Sequence, residues 1–189
     1  ACTATIITME YRRHGIEIPC DIAELLLGAI MTDTIILKSP TTTDTDREQV
    51  EYLSQLIGVD HVEFGLELFK ARGGDEDVSI DRLLGADAKE FELGDHVVLI
   101  AQRETVDVSG SVAREDEIRQ YMRELIEQKG YEFVLLLVTD IMAEGSVFLC
   151  EGNRRIVSRV FNIECSGQKG GTWMPGIFSR KKQVSAKLI

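Results

Sequence analysis

Gly28–Asp46 reads GAIMTDTIILKSPTTTDTD, and its reading organises the N-terminal half of the chain. It begins as an apolar helical run carrying one acid, Asp33. It then passes through Lys38 and Pro40 into hydroxyls and acids. A carboxylate inside an apolar pattern is costly unless something pairs with it, and a metal ion is one such partner. The alternative is an acid on the solvent side of the helix, or one bonded to nearby backbone. Pro40 disfavours the helical conformation at Ser39, which predicts that the first helix stops about there. Thr43 is a candidate N-cap for a second helix over Asp44–Ile57, with acids in its first turn.

Towards the N-terminus, Asp21–Leu37 reads as one long helix. Ile22, Ala23, Leu25, Leu26, Leu27, Ala29, Ile30 and Met31 cover most of its surface. Such a helix is normally buried in a larger body, and few partners for it are visible here. Thr3–His14 reads as a helix with apolar Ile6, Ile7, Met9 and Tyr11, basic Arg12 and Arg13 in its last turn, and Gly15 as its stop. The chain opens inside that helix without an initiator Met. The expectation is therefore a piece of a longer protein, with N-terminal helices that pack against another copy as a homo-oligomer.

Towards the C-terminus, Asp60–Ala71 reads as a helix separated from its predecessor at Gly58. Arg72–Asp77 (RGGDED) reads as a linker. Beyond it the rhythm changes. A short helix over Ile80–Leu84 precedes strands at Ala88–Leu93 and His96–Gln102, with a further extended piece over Glu104–Val108. Glu115–Gln128 is amphipathic, with Ile118, Tyr121, Met122, Leu125 and Ile126 on one face and Gly130 at its end. Phe133–Thr139 (FVLLLVT) and Ser146–Leu149 read as strands, Arg154–Phe161 as a helix, and Trp173–Phe178 as a last strand or turn. Strands separated by helices predict an α/β domain with a mixed sheet flanked by helices.

Bulk properties narrow the function. A length of 189 residues holds one large domain or two small ones, and 44% hydrophobic with 28% charged residues is ordinary for a soluble globular protein. The net charge of −11 argues against nucleic acid or an anionic membrane as partner. A small anionic substrate then needs a local basic site. The four cysteines contain no CxxC pair, which argues against a zinc ribbon and for reduced thiols, packed as small core residues, in a cytoplasmic protein. No apolar run reaches membrane-spanning length, and no stretch reads as a signal peptide.

Arg180, Lys181 and Lys182 are the local basic site. Three cations near a terminus can be a solvated tail. Here they follow Gly171–Phe178 (GTWMPGIF), whose aromatics and proline can order the segment. The three histidines, His14, His61 and His96, have no ligand-like spacing around them. Asp140 and Glu144, at the end of a strand, read as a loop rim before they read as a catalytic pair.

Four segments in order resemble one family. TDTIILKSPT resembles the S-D-T-x-x-F-K-S-P-T segment of the family II, manganese-dependent inorganic pyrophosphatases of the DHH phosphoesterase group. Ser179–Val184 (SRKKQV) resembles the SRKKQ signature that closes the same family. Phe91–Asp107 (FELGDHVVLIAQRETVD) resembles its F-x-x-G-x-x-K-x-x-I-A-Q-V-x-T-V-D segment, and Cys2–Thr5 its G-S-T-A-T segment. The resemblance implies that residues 1–72 are the helical end of a DHH domain, 73–77 a linker, and 78–189 the DHH-associated C-terminal, substrate-binding domain. It implies that Asp33 is a carboxylate ligand of one metal in a multi-metal site using Mn²⁺, Mg²⁺ or Co²⁺. Arg180 and Lys181 would bind the phosphates of pyrophosphate, with Arg as a fork and Lys as a point charge. No side chain of the chain is assigned a general-acid or general-base role.

Two departures stand out. The family's phosphate-binding Lys falls on Val97 here, leaving His96 or Arg103 as substitutes, and the usual Val-Pro ending is replaced by Ser185–Ile189. In the intact enzyme, metals would acidify a water that attacks phosphorus in line while cations neutralise the leaving phosphate. One carboxylate cannot hold a metal pair, so residues 1–189 alone are expected to be inactive. Two other readings are an exopolyphosphatase of the same group and a non-catalytic phosphate- or nucleotide-sensing or assembly module.

Overall fold

A computed structural model describes residues 1–71, 78–165 and 169–188. The chain divides into two compact units, Ala1–Arg72 and Gly73–Ile189. The linker expected over Arg72–Asp77 lies outside the described residues.

The first unit is helical: α1 (Thr3–Arg13), α2 (Cys20–Asp33), α3 (Asp44–Ile57) and α4 (His61–Ala71). Helix α2 packs against the other three through buried Ala23, Leu26, Leu27, Ile30 and Met31. Helix α3 spans the residues its caps predict. Thr43 Oγ1 accepts from the Asp46 N–H at 3.2 Å, and Asp46 Oδ2 accepts from the Thr43 N–H at 2.8 Å. That reciprocal pair is a capping box. Asp60 starts α4 in the same spirit, its Oδ1 accepting from the N–H groups of Val62 and Glu63 at 2.9 Å each.

Helix α2 ends at Asp33, well before Ser39. Ile35, Ile36 and Leu37 adopt φ of 50°, 53° and 60°, a left-handed turn of three non-glycine residues. Such residues cost about 1–2 kcal/mol each. Local bonds hold the turn: the Ile36 N–H donates to Met31 O and the Ser39 N–H to Thr34 O, both at 2.8 Å, and Thr34 Oγ1 donates to Ile30 O at 2.7 Å. Burial supplies the rest. Ile35 and Ile36 are 3% and 5% exposed, and burying such a side chain stabilises by about 1.5–3 kcal/mol. Gly65 on α4 makes the room, because a Cβ there would lie 3.1 Å from Ile36 Cγ1 and 3.0 Å from Met31 Cε.

Helix α1 also differs from its pattern. Its buried residues are Ala4, Thr5 and Thr8, while Ile6, Ile7 and Met9 are exposed. Of these, Thr5 donates to a buried carboxylate, Asp46, and Thr8 donates to Ala4 O within the helix. On α2, Leu25 is likewise exposed rather than covered.

The second unit contains α5 (Ile80–Gly85), β1 (Ala88–Leu93), β2 (His96–Thr105), α6 (Ser109–Ala113), α7 (Glu115–Lys129), β3 (Phe133–Asp140), β4 (Gly145–Gly152), α8 (Arg154–Phe161) and β5 (Thr172–Pro175). A π-helical turn, Arg180–Ser185, and α9 (Ala186–Leu188) end it. The five strands lie in the order β1-β2-β3-β4-β5; β2 and β3 are parallel and the other pairs antiparallel. This is the mixed sheet that the strand and helix pattern predicts. Strand β2 runs on to Thr105, absorbing the start of the extended piece expected after it, and α6 was not foreseen.

The apolar run of β3 is explained by two cores. Val134, Leu136 and Val138 pack with α5 and α7; Phe133, Leu135 and Leu137 pack with α8 and the C-terminal turn. A strand buried on both faces reads as continuous rather than alternating. Helix α7 is tied to the sheet by a buried ion cluster. Arg119 lies 2.6 Å from Glu115 and 2.8 Å from Glu151, and Arg154 Nη2 lies 2.6 Å from the same Glu151. Val184 and Leu188 close the α8-side core, so the basic segment before them is not a solvated tail. All four cysteines are free; Cys150 and Cys165 are core residues, whereas Cys2 is half-buried and Cys20 exposed.

Candidate functional site

The basic segment lies at the carboxyl ends of the two parallel strands, where open α/β sheets usually place ligands. Gln102, near the end of β2, is buried. Its Nε2 donates to Thr139 Oγ1 on β3 at 3.0 Å and to Phe178 O at 2.8 Å, and its Oε1 accepts the Arg180 N–H at 2.9 Å. Ser146 on β4 donates to Ile177 O at 2.6 Å and shares a 2.8 Å hydrogen bond with Thr139. Gln183 holds the segment from its other side. It accepts from the N–H groups of Phe178 and Ser179 at 2.8 and 3.0 Å and donates to Gly176 O at 2.7 Å. Ser179 Oγ then caps the π-helical turn by accepting the Lys182 N–H at 3.2 Å.

The Arg180 guanidinium folds back towards β1. Its Nη2 lies 2.8 Å from Asp87 Oδ1, and its Nη1 donates to Asp87 O at 2.5 Å and to Ile100 O at 3.4 Å. Its Nε is buried with no hydrogen-bond partner among the described residues. Leaving a buried donor unsatisfied costs about 1–3 kcal/mol. An anion's oxygen is the acceptor that would satisfy it, and the Nε–Nη2 edge is the fork that takes phosphate. Lys181 and Lys182 are exposed beside it.

A further cation comes from β1. Lys89 pairs in register with Ile100, the residue whose carbonyl touches Arg180, so its side chain projects from the face that carries the Arg180 segment. Lys89 is exposed, with its Nζ 5.9 Å from the Phe91 ring centroid. By contrast, Val97 lies five residues from Gln102 along β2, about 17 Å away, with its side chain on the opposite face. His96 is at the same far end, ion-paired with Glu132 at 3.1 Å. Arg103 neighbours Gln102 in sequence but points to the other face. Neither substitute considered for the family's lysine is brought to Arg180; Lys89 shares the face that carries the Arg180 segment, with its Nζ over the Phe91 ring.

Asp33, the last residue of α2, is exposed rather than buried. It rims a recess of about 410 Å³ lined by Cys2, Thr3, Ala4, Ala29 and Thr32. Burial pushes the Cys2 thiol up from its ordinary value, and the charges of Asp33 and Asp46 add to this. The thiol is therefore neutral at neutral pH. The buried acid of this region is Asp46. Its Oδ1 accepts from the Cys2 N–H at 2.9 Å and Thr5 Oγ1 at 2.5 Å, and its Oδ2 from Thr43 Oγ1 at 2.7 Å as well as from the Thr43 N–H. Burial pushes its pKa up, but the hydrogen bonds from Thr5, Thr43 and the Cys2 backbone outweigh that and bring it to about 2. Among the described residues no group of three or more His, Cys, Asp or Glu could hold a metal ion. Asp33 thus fits as one hard oxygen ligand, and the described residues do not complete a metal centre.

The remaining candidates are structural. Asp140 Oδ1 accepts from the N–H groups of Met142 and Ala143 at 2.8 Å each, closing a turn. His14 lies 3.5 Å from Glu10 on the same helix. Gln102, Asp87 and Lys89 are the site residues that pattern reading passed over. The one local sign was the amide of Gln102 ending the apolar run HVVLIAQ.

Comparison with known proteins gives the family. The DHHA2 domain family model matches residues 66–188. The manganese-dependent inorganic pyrophosphatase of Methanocaldococcus jannaschii is 36% identical over 191 residues, which is 96% of this chain and 62% of that protein. A protein of Lactobacillus johnsonii named "Probable manganese-dependent inorganic pyrophosphatase" is 40% identical over 186 residues, 97% of this chain and 59% of that protein. A crystal structure from Methanococcus jannaschii assigned to the family II inorganic pyrophosphatases superposes with a TM-score of 0.83 at 35% identity, over 98% of this chain and 63% of that one. The chain thus spans about three fifths of the length of these relatives. Among the described residues no helix is long and apolar enough to cross a membrane. With the family model covering well over half of its length and every strand of the second unit inside the match, the chain belongs to the DHHA2 domain family.

Proposed function

We propose that the chain is part of a manganese-dependent inorganic pyrophosphatase, a hydrolase that splits pyrophosphate into two phosphates. The observation that carries this reading is the Arg180 guanidinium, held on a pinned segment with its buried Nε unpartnered. The names of the relatives support pyrophosphate as the anion it takes and Mn²⁺ as the metal.

Each unit contributes its own chemistry. In the second, Arg180 forks onto a phosphate, and Lys181 and Lys89 add point charges that neutralise the charge developing on the leaving group. In the first, Asp33 supplies one metal ligand. When bound, the metal supplies Lewis acidity and an acidified water nucleophile. Residues 1–189 alone are expected to release no phosphate, a reading supported by the lack, among the described residues, of any group of three or more His, Cys, Asp or Glu that could hold a metal ion. The free cysteines support a cytoplasmic location. The exposed Ile6, Ile7, Met9 and Leu25 support a homo-oligomer.

Calorimetry with pyrophosphate, with and without Mn²⁺, tests this beside an Arg180→Ala/Lys181→Ala variant. Weak, metal-independent binding that disappears in the variant is expected, with no phosphate released. Unchanged binding in the variant would remove the phosphate role of these residues, and robust turnover would show that the metal ligands are misplaced.

A further inference from the structure

We infer that Gln102 is a positioning residue for phosphate binding and that it acts through the backbone of Arg180. The inference rests on the phosphate-binding reading of Arg180 and Lys181.

The argument starts from cost. Gln102 continues the face of β2 on which Val98 and Ile100 are core residues, and burying an amide there is unfavourable unless its groups are bonded. A Met or Leu would fill a similar volume with no polar atom to satisfy. What the amide adds is geometric. Its donor reaches Phe178 O and its acceptor takes the Arg180 N–H, two residues further along. One planar group thereby fixes the backbone on both sides of Ser179. Gln183 makes comparable bonds from within the segment, whereas Gln102 refers the segment to the sheet. The hydroxyls of Thr139 and Ser146 extend the tie from β3 and β4 to Ile177 O.

The Arg180 side chain is referred to the same strand, its Nη1 lying 3.4 Å from Ile100 O. Backbone and side chain of Arg180 are therefore both measured against β2. With the backbone fixed, the guanidinium leaves towards Asp87 and Lys181 leaves towards solvent. Without the amide, the segment keeps its local turn but loses its register against β2, and with it the placing of the Arg180 fork. Misplacing a bidentate donor by about 1 Å is enough to lose most of its value.

Only a group with a donor and an acceptor at this spacing can do the job, and this yields a test that a purely structural role would not pass. In Gln102→Glu the carboxylate still accepts the Arg180 N–H but presents lone pairs to Phe178 O. When protonated, its hydroxyl donates to Phe178 O and its carbonyl still accepts from Arg180, restoring both ties to the segment; only the donation to Thr139 Oγ1 is not replaced. Pyrophosphate affinity is measured by calorimetry for the unaltered chain, Gln102→Glu, Gln102→Met, and Ile118→Val as a core change on the other face of the sheet. Arg180 amide exchange is followed by NMR. Near pH 8 both Gln102 variants should bind about tenfold more weakly than the unaltered chain, with Ile118→Val unaffected. Between about pH 8 and pH 5, Gln102→Glu should recover relative to the unaltered chain and Gln102→Met should not. The Arg180 amide should exchange about tenfold or more faster in Gln102→Met.

Unchanged affinity in both variants, or the same pH dependence for Glu and Met, overturns the inference. If the unaltered chain binds no pyrophosphate, the phosphate reading itself falls and the inference falls with it. Arg180 exchange separates the two failures: unchanged exchange in Gln102→Met means that Gln102 does not hold Arg180 at all.

Discussion

Replacing Asp46 by Asn should destabilise the helical unit, and by an amount that depends on pH in a calculable way. Asp46 carries four accepted hydrogen bonds and a pKa of about 2, against an ordinary 3.8. A depression of that size corresponds to about 2–2.5 kcal/mol of stability. The folded-state pKa lies below the unfolded one, so this contribution is complete above pH 3.8 and disappears as pH falls towards 2. An Asn carries no charge and turns an NH₂ group towards N–H donors on one side, leaving a buried donor unpaired at about 1–3 kcal/mol. The variant should thus lose about 3–5 kcal/mol at pH 7 and only about 1–3 kcal/mol near pH 2. The only tryptophan, Trp173, lies in the second unit, so its fluorescence does not report on this change directly. Hydrogen exchange in α1–α3 under increasing urea, at several pH values, does. Equal protection in both proteins at pH 7, or a destabilisation that persists undiminished at low pH, would refute the reasoning.

Three further outcomes follow from the second unit. Lys89→Ala should weaken pyrophosphate binding several-fold by calorimetry, while Val97→Lys should leave it unchanged, since β2 points that position away from Arg180. Asp87→Asn removes the carboxylate that occupies Arg180 Nη2, so pyrophosphate should bind more tightly in titrations; with Asp87 57% exposed, the lost ion pair should alter urea stability by less than about 1 kcal/mol. Leu136→Ala empties a fully buried site on the central strand and should cost about 2–5 kcal/mol, read as an earlier Trp173 fluorescence transition in urea.

Sequence by itself determined the elements whose signals are local. Thr43 and Asp46 start α3 because cap and partner lie three residues apart, and Gly130 ends α7 because it takes the left-handed φ of 72°. FVLLLVT reads as a strand from its length and β-branched, aromatic start, while the two cores that cover its faces come from the tertiary structure. The four ordered motifs placed the chain in its family before any contact was known. Tertiary structure decided what depends on contacts between distant residues. Helix α2 stops at Asp33 because Ile35 and Ile36 are buried beyond it, Ile36 against Gly65, and no rule of propensity contains that room. The acid in the apolar run turned out exposed and Asp46 buried, because two of the four donors that satisfy Asp46, the Cys2 N–H and the Thr5 hydroxyl, lie more than forty residues away. Lys89 rather than Val97 shares the face that carries the Arg180 segment, because strand register, not motif spacing, sets which side chains share a face. Gln102 matters through partners up to 78 residues away, and a hydrogen bond across that separation leaves no periodic trace in the chain.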